Sequence, residues 1–197
     1  MYSRCPWILL AAGVFAACQG KQPAPPPPAP TVIEVKDTDG HVIAELKPIR
    51  PCRGTVPPAG ELIVGGPPIL ATEGSAQWMG ATGSNGTTYE KDGERLARLY
   101  PINDPSNAAV LDMHGVAQMR IAIEGDVAIV RNGAGMPIRN LKKVAAGSAG
   151  SEITSDSPAL TISGTDDLVL AGLLSAPELV PQIRILAACE RVLAKGS

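Results

Sequence analysis

The chain has 197 residues, a formal net charge of −2 and 45% hydrophobic residues, which is enough apolar material for one packed core. The near balance of acidic and basic side chains argues against nucleic acid as a partner, and an aromatic content of 3% leaves few stacking platforms for sugars. Glycine and proline, at 21 and 19 residues, favour short strands joined by turns over long helices.

The first seventeen residues have the pattern of an export signal. A start that carries Arg4 precedes an apolar stretch at 6–17, which is shorter than the roughly 20 residues that a membrane-spanning helix needs. The sequence Phe15-Ala-Ala-Cys18 that follows resembles the lipobox of bacterial lipoproteins, although that family prefers leucine where Phe15 stands. The resemblance implies cleavage after Ala17, a diacylglyceryl thioether on Cys18 and acylation of the new amino group. The alternative is an ordinary secretory signal that carries a cysteine there by chance.

Residues 18–31 are interpreted as the lipidated cysteine followed by a proline-rich tether. Six of the ten residues from Lys21 to Pro30 are prolines, a composition that favours extended polyproline II and cannot pack a core. Several acyl chains on Cys18 would anchor the protein stably in a membrane. By the same resemblance, Gln19 stands where an aspartate would retain a lipoprotein at the inner membrane. We therefore expect a protein of the bacterial cell envelope, anchored in the outer membrane through Cys18.

Two cysteines remain after Cys5 is removed with the signal and Cys18 is lipidated. An exported chain meets an oxidising compartment, where two remaining cysteines usually pair, so Cys52 and Cys189 are expected to form a disulfide. Such a bond would tie the start of the domain to its last helix. Two alternatives stay open: a pair of buried free thiols, or a reactive Cys52 thiolate stabilised by the arginines on either side.

Residues 32–197 are predicted to form a single β-rich globular domain. Apolar residues alternate on both sides of glycine-containing corners, which is the pattern of successive β-hairpins. Turns are expected at Asp39-Gly40, Asp92-Gly93, His114-Gly115, Gly125-Asp126 and Asn132-Gly133. Two stretches break this pattern. Residues 57–86 are rich in proline and glycine around one short apolar run at 61–64, and residues 145–157 are interpreted as a mobile surface loop.

The last thirty residues change to a helical pattern. Thr165 is expected to cap a first helix, with Asp166 and Asp167 in its first turn. A helix restarts near Ser175-Ala-Pro177 and continues to Leu193. Its apolar stripe consists of Leu179, Ile183, Leu186 and Cys189 or Val192. The other faces are also largely apolar, so we expect this helix to be buried on most sides, while its prolines and charges argue against a membrane span.

These elements predict a mainly β (α+β) fold, an antiparallel meander of hairpins with a C-terminal helix. The hairpin at 37–46 and the final helix resemble the scramblase and tubby-type barrels, in which strands wrap a central hydrophobic helix. That resemblance implies a barrel around the last helix. The alternative is an open sheet with the helix packed on one face.

No catalytic or metal-binding constellation is evident in the sequence. His41 and His114 each lie beside a turn glycine, which is typical of solvated surface histidines, and no spacing arranges ligands for zinc. The segment Asp37-Thr-Asp-Gly40 matches only the start of a calcium loop, so we interpret it as a turn. Asp166-Asp167 is interpreted as a helix start rather than a pair of catalytic carboxylates. We therefore expect no cofactor and no metal.

Two functions stay open. The first is a non-enzymatic binding or structural module of the envelope, with another envelope protein, peptidoglycan or lipid as its partner. The second is a hydrolase whose site is assembled from His114 and a serine of the 148–157 loop. The hydrolase requires an imidazole within hydrogen-bond reach of a serine or a carboxylate, which the tertiary structure can test.

Overall fold

Strands dominate the part of the chain described by the computed structural model, which covers residues 31–65, 69–74, 76–83, 86–100, 104–147 and 150–195. The export signal, Cys18 and most of the tether lie outside these residues. The strands are β1 Ile33–Lys36, β2 Val42–Lys47, β3 Cys52–Thr55, β4 Leu62–Val64, β5 Ile69–Glu73, β6 Ala76–Gly83, β7 Gly86–Lys91, β8 Glu94–Tyr100, β9 Asn107–Leu111, β10 Ala117–Glu124, β11 Val127–Asn132, β12 Pro137–Gly147, β13 Gly150–Asp156 and β14 Ala159–Ser163. The helices are α1 Leu168–Ser175 and α2 Pro181–Lys195.

The strands form one closed antiparallel barrel. Each strand pairs with its neighbours in the sequence, and β14 returns to pair with β1, where Val35 lies opposite Ile162. The predicted meander of hairpins is therefore confirmed, and the sheet closes on itself rather than staying open. Closure gives every described strand a hydrogen-bonded neighbour on both sides, so none of them is an edge strand.

Both helices lie inside the barrel. Helix α1 contacts β1 and also β10, β11 and β12, whereas α2 contacts β3 and β4 on another side of the ring. All eight residues of α1 are buried, which a helix achieves only when apolar groups surround it on every side. The predicted burial of the C-terminal helix is confirmed, since α2 is buried from Ile185 to Arg191.

The inner face of the barrel wall is apolar. Buried and exposed residues alternate along the strands with the two-residue period of β-structure. In β10, for example, Ala117, Met119 and Ile121 point inward and are buried, while the residues between them are exposed. Two glycines let the helices approach this wall closely. A Cβ atom on Gly172 of α1 would lie 2.6 Å from Ile121 Cδ1, and one on Gly54 of β3 would lie 2.8 Å from Ile185 Cγ2.

The two ends of the barrel differ. The chain enters β1 at Ile33, and the same end holds the start of α1 and the end of α2; we call it the entry end. The opposite end, which we call the far end, holds the turns that follow the odd-numbered strands and the α1–α2 connection at 176–180. All five predicted hairpin turns form, four of them at the far end and the turn at 125–126 at the entry end.

Two stretches that break the hairpin pattern contribute strands to the barrel wall. Residues 57–86 contain β4, β5 and β6, with β4 inside the short apolar run, and the expected loop at 145–157 is the end of β12 followed by β13, with residues 148 and 149 outside the described chain. The interpretation of 145–157 as a surface loop was wrong because strand propensity is weak compared with pairing context. A segment between two established strands completes their hydrogen-bond ladders even when its own composition is rich in glycine or small polar residues.

The helix starts also differ from the expected ones. Asp167, not Thr165, is the N-cap of α1, since its Oδ1 accepts hydrogen bonds from the backbone N–H groups of Val169 and Leu170 at 3.0 and 3.1 Å. The Thr165 hydroxyl instead accepts from the Asp167 N–H at 3.1 Å. The second helix begins at Pro181 rather than near Pro177, which agrees with the preference of proline for the first helical position.

Cys52 and Cys189 form the predicted disulfide, with a Cα–Cα distance of 5.7 Å across a sequence separation of 137 residues. Both residues are fully buried. The bond links the start of β3 to α2, and so fastens the interior helix to the wall near the entry end. The free-thiol and reactive-thiolate alternatives for these two residues therefore do not apply.

We expect the double variant Cys52→Ala/Cys189→Ala to lower the free energy of unfolding by about 2–5 kcal/mol, because the bond restricts a long loop in the unfolded chain. Denaturant titration would measure the loss, with Cys5→Ala as a control that leaves this bond intact. Alkylation of the full chain without reductant, followed by peptide mapping, should leave Cys52 and Cys189 unlabelled. Labelling of both residues under those conditions would contradict the disulfide.

Candidate functional site

A buried ion pair closes the entry end of the barrel interior. Arg191 of α2 donates from Nε to Asp167 Oδ2 at 2.6 Å and from Nη2 to Asp167 Oδ1 at 3.0 Å, and both side chains are less than 10% exposed. The Nη1 group of Arg191 also donates to the carbonyl of Asp104 at 2.9 Å. The guanidinium therefore ties α2 to the cap of α1 and to the β8–β9 connection.

A buried carboxylate lies beside this ion pair. The hydroxyls of Thr87 and Tyr89, both on β7, donate to the two oxygens of Glu190, and the Thr82 hydroxyl lies 3.0 Å from that of Thr87. Burial raises the pKa of Glu190, and the two hydrogen bonds oppose that shift. Burial and the charge of Glu190 together raise the pKa of Tyr89 well above its ordinary value. Because Glu190 is only 6% exposed, it anchors α2 to the wall rather than meeting a substrate.

Two arginines hold the α1–α2 connection at the far end. The Nη1 group of Arg139 donates to the carbonyl of Ser175 at the C-terminal end of α1, where a cation also complements the helix dipole. Arg184 donates from Nε to the carbonyl of Leu179 at 3.3 Å. Burial lowers the pKa of both arginines, and the charge of Glu178 opposes this shift. These contacts hold the connection across the far-end opening.

Unsatisfied polar atoms are concentrated at the far end. Among the described residues, three buried side-chain atoms have no hydrogen-bond partner: Trp78 Nε1, Arg139 Nε and Ser155 Oγ. Each residue lies close to the far end of its strand. The buried polar side chains described above at the entry end are all paired. An unpaired buried donor costs about 1–3 kcal/mol, so among the described residues the far end is the less completely paired end of the barrel.

A cavity of about 300 Å³ opens at the far end beside Trp78; we call it the far-end notch. It is lined by Trp78, Lys91, Leu96, Ala97, Gln118, Val180, Gln182 and Ile183. The notch exists because β9 is short: β9 pairs with β8 at residues 98–100, and the first residues of β8 have no described partner on that side. Trp78 and Lys91 lie directly opposite each other on β6 and β7, so both point inward. Lys91 Nζ lies 5.2 Å from the centroid of the Trp78 ring.

Two other cavities are weaker candidates. A concavity of about 420 Å³ on the outer face of β10–β13 is lined by groups of both charge signs, including Glu124, Lys142 and Asp156. None of its lining residues is buried, so it contains no unsatisfied interior group. A smaller cavity of about 180 Å³ lies beside Arg139, whose guanidinium is already bound to the end of α1. The far-end notch differs from both in placing a single charged residue, Lys91, beside a mostly apolar lining.

The structure does not bring together the residues of the hydrolase hypothesis. His114 lies at the tip of the β9–β10 turn, where its backbone N–H donates to Asp112 Oδ1 at 2.8 Å. Ser151 lies at the entry end, Ser155 faces the barrel interior, and residues 148 and 149 are outside the described chain. Within the described residues, no hydrogen bond joins the His114 ring to a serine or a carboxylate.

The Asp37–His41 turn places two carboxylates and an imidazole together, with one ligand atom of each within 4.8 Å of the others. Asp37 Oδ1 already accepts the backbone N–H groups of Asp39 and His41 at 3.0 and 2.9 Å, and the His41 ring is largely exposed. This geometry is that of an Asx-type turn, as predicted for the segment.

Comparison of the chain with protein-family models, with curated proteins and with solved structures finds no match. In the described part of the chain, neither helix is both long and apolar enough to cross a membrane. The candidate site therefore depends on the geometry of the barrel alone.

No sequence pattern indicated the notch. Trp78 and Lys91 become neighbours only through the β6–β7 register, and no motif marks either residue. The entry-end network did carry a signal that was not used: Glu190 and Arg191 are adjacent charged residues inside an otherwise apolar helical segment. Such a pair in a helix that is buried on most sides requires interior partners.

We expect Glu190→Gln to gain stability relative to the unaltered protein as the pH rises. Because the pKa of Glu190 is raised in the folded state, its stabilising contribution is present below the ordinary carboxyl value of 4.5 and is lost as pH rises through the folded-state pKa. The amide cannot ionise and keeps hydrogen-bonding capacity towards Tyr89. Thermal unfolding from pH 4 upward would measure the difference in Tm, with the exposed Glu94→Gln as control. A difference that is independent of pH would contradict a raised pKa at Glu190.

Proposed function

We propose that the protein is a lipid-anchored, non-enzymatic binding module of the bacterial envelope, held at the outer membrane by acylated Cys18 and using the far end of the barrel to bind another envelope protein. The observation that carries this proposal is that two features lie at opposite ends of the barrel. The tether joins the barrel at the entry end, whereas the three unpaired buried polar atoms lie near the far end.

The tether would orient the barrel. A polyproline II segment rises about 3.1 Å per residue, so the ten residues at 21–30 would extend about 3 nm. Since this spacer leads into Ile33 at the entry end, the far end would point away from the lipid surface. A partner of the far end would then be a component of the periplasm rather than the anchoring membrane.

The surface of the far end has the composition of a protein-binding face. Met113, Val116, Met136 and Val180 are each more than half exposed, and all four lie in far-end turns or in the α1–α2 connection. The turns around them carry Asp37, Asp39, Asp92 and Asp112 and contain no lysine or arginine. Exposed methionines and valines with acidic neighbours favour a partner that presents apolar side chains surrounded by basic ones.

The hydrolase alternative has no comparable support. His114 lies in an exposed turn, and no hydrogen bond joins its ring to a described serine of the 150–157 segment. The same turn carries two of the exposed apolar side chains, Met113 and Val116, so its geometry suits contact with a partner surface.

We expect Cys18→Ala to move the protein from the membrane fraction to the soluble periplasmic fraction, because the acyl chains on Cys18 supply the membrane attachment. Fractionation and mass measurement of the processed N-terminus would follow the change, with Cys5→Ala as the matched control that stays in the membrane. Retention of Cys18→Ala in the membrane fraction would show that the anchor lies elsewhere.

We expect a photo-crosslinking residue at Met113 or Met136 to capture the same protein partner in intact cells, because both positions lie in far-end turns. Ile49 is the matched control, since it is 47% exposed and lies between β2 and β3 at the entry end. Crosslinked products resolved by mass spectrometry should be specific to the two far-end positions. Equal yields at Ile49, or yields at Ile49 alone, would contradict the far end as the binding face.

A further inference from the structure

We propose that the far-end notch binds an apolar group that ends in a carboxylate, and that the Lys91 ammonium donates hydrogen bonds to that carboxylate beside the Trp78 ring. This inference rests on the proposed function, because it assigns a ligand chemistry to the end of the barrel that the binding module presents.

The Trp78 side chain forms one wall of the notch and positions the lysine beside it. The indole is 3% exposed, and its Nε1 atom is itself buried, so a ligand in the notch would meet the ring rather than the N–H group. Lys91 Nζ lies 5.2 Å from the centroid of this ring, which is a cation–π distance. The ring therefore holds the ammonium beside the cavity.

The charge of the notch favours an anion. Lys91 is the one charged residue among those that line the cavity, and its ammonium lies against the Trp78 ring. The carboxylate of Glu73 is engaged by the Gln182 side chain, whose Nε2 donates to both of its oxygens at 2.9 and 3.1 Å. A carboxylate in the notch would accept from the lysine ammonium, and hydrogen bonds to charged groups are about twice as strong as neutral ones.

The remaining walls favour an apolar body. Leu96, Ala97, Val180 and Ile183 supply aliphatic surface on β8, the α1–α2 connection and the start of α2. A volume of about 300 Å³ is at the lower end of the range for small-molecule sites. That space suits the last apolar residue of a polypeptide chain with its free α-carboxylate, or the carboxyl end of a short acyl chain. The two sources share one chemistry, and binding measurements can separate them.

The test uses the full chain with Trp7→Phe, which makes Trp78 the sole tryptophan and its fluorescence a direct reporter of the notch. The probes are acetyl-Ala-Leu with a free carboxylate, the same dipeptide as its C-terminal amide, octanoate and octanamide. We expect saturable fluorescence changes with the acids and at least about tenfold weaker binding of the matching amides. Tighter binding of the dipeptide acid would identify a protein C-terminus as the source, and tighter binding of octanoate would identify an acyl chain.

Variants at Lys91 separate charge recognition from a structural effect. We expect Lys91→Met to weaken binding of the better acid at least about tenfold by calorimetry, and Lys91→Arg to restore most of it. Lys47→Met, a lysine on β2, is the matched control and should bind normally. Circular dichroism of each variant would verify that the barrel is folded.

Three outcomes would overturn the proposal: equal binding of acids and amides, unchanged binding by Lys91→Met, or no saturable change at about 10 mM of any probe. Because these measurements use purified protein in solution, they do not depend on lipidation of Cys18 or on the far-end crosslinks. If acids and amides bind equally but the far-end crosslinks form, the carboxylate ligand is refuted and the proposed binding module stands. If the far-end crosslinks fail but acids still bind more tightly than amides, the protein partner is refuted and the notch stands as a small-molecule site.

Discussion

The width of the barrel is the constraint on which the rest of the structure depends. A ring of fourteen strands encloses more space than its own inward side chains can fill, because barrel diameter grows with strand number. The chain fills that space with α1 and α2, its own C-terminal helices. Tight packing then requires small residues where helix and wall meet, which is why Gly172 and Gly54 stand opposite Ile121 and Ile185. The Cys52–Cys189 disulfide fastens one of these helices to the wall covalently.

Bringing helices into an apolar interior also buries their ends and their few charged residues. At the entry end every such group described here has a partner: Arg191 joins Asp167, and Glu190 accepts from two hydroxyls of β7. At the far end the arginines hold the α1–α2 connection, but three polar atoms stay unpaired. The two ends therefore differ in how completely the buried polar groups of the described residues are paired, and an unpaired buried group is costly to the fold.

The direction of the chain gives this asymmetry a functional meaning. In the proposed function, an anchor ahead of β1 would place the entry end towards the membrane and leave the far end free to meet a partner. The apolar and acidic turns of the far end form a broad face, and the notch beside Trp78 forms a specific recess at that face. In these proposals the broad face would supply binding area, and the recess would supply selectivity because it accepts one terminal group.

The sequence by itself determined the elements that depend on neighbouring residues. The hairpin turns, the apolar alternation of strands such as β10 and the burial of the last helix were all predictable, because a glycine corner or a helical repeat acts over only a few residues. The envelope anchor is likewise an inference from the N-terminal segment. Pairing of Cys52 with Cys189 followed from the small number of cysteines left to pair.

Only the tertiary structure decided how these pieces meet. It drew the glycine- and proline-rich segment at 57–86 into the wall, moved the helix cap from Thr165 to Asp167, and separated His114 from the buried Ser155. It also brought Trp78 opposite Lys91 and placed Ile183 beside them. Each of these results depends on strand register or on contacts between residues that are distant in the chain. Local propensity is weak there, so the conformation is set by the distant partner that completes a hydrogen bond or fills a space.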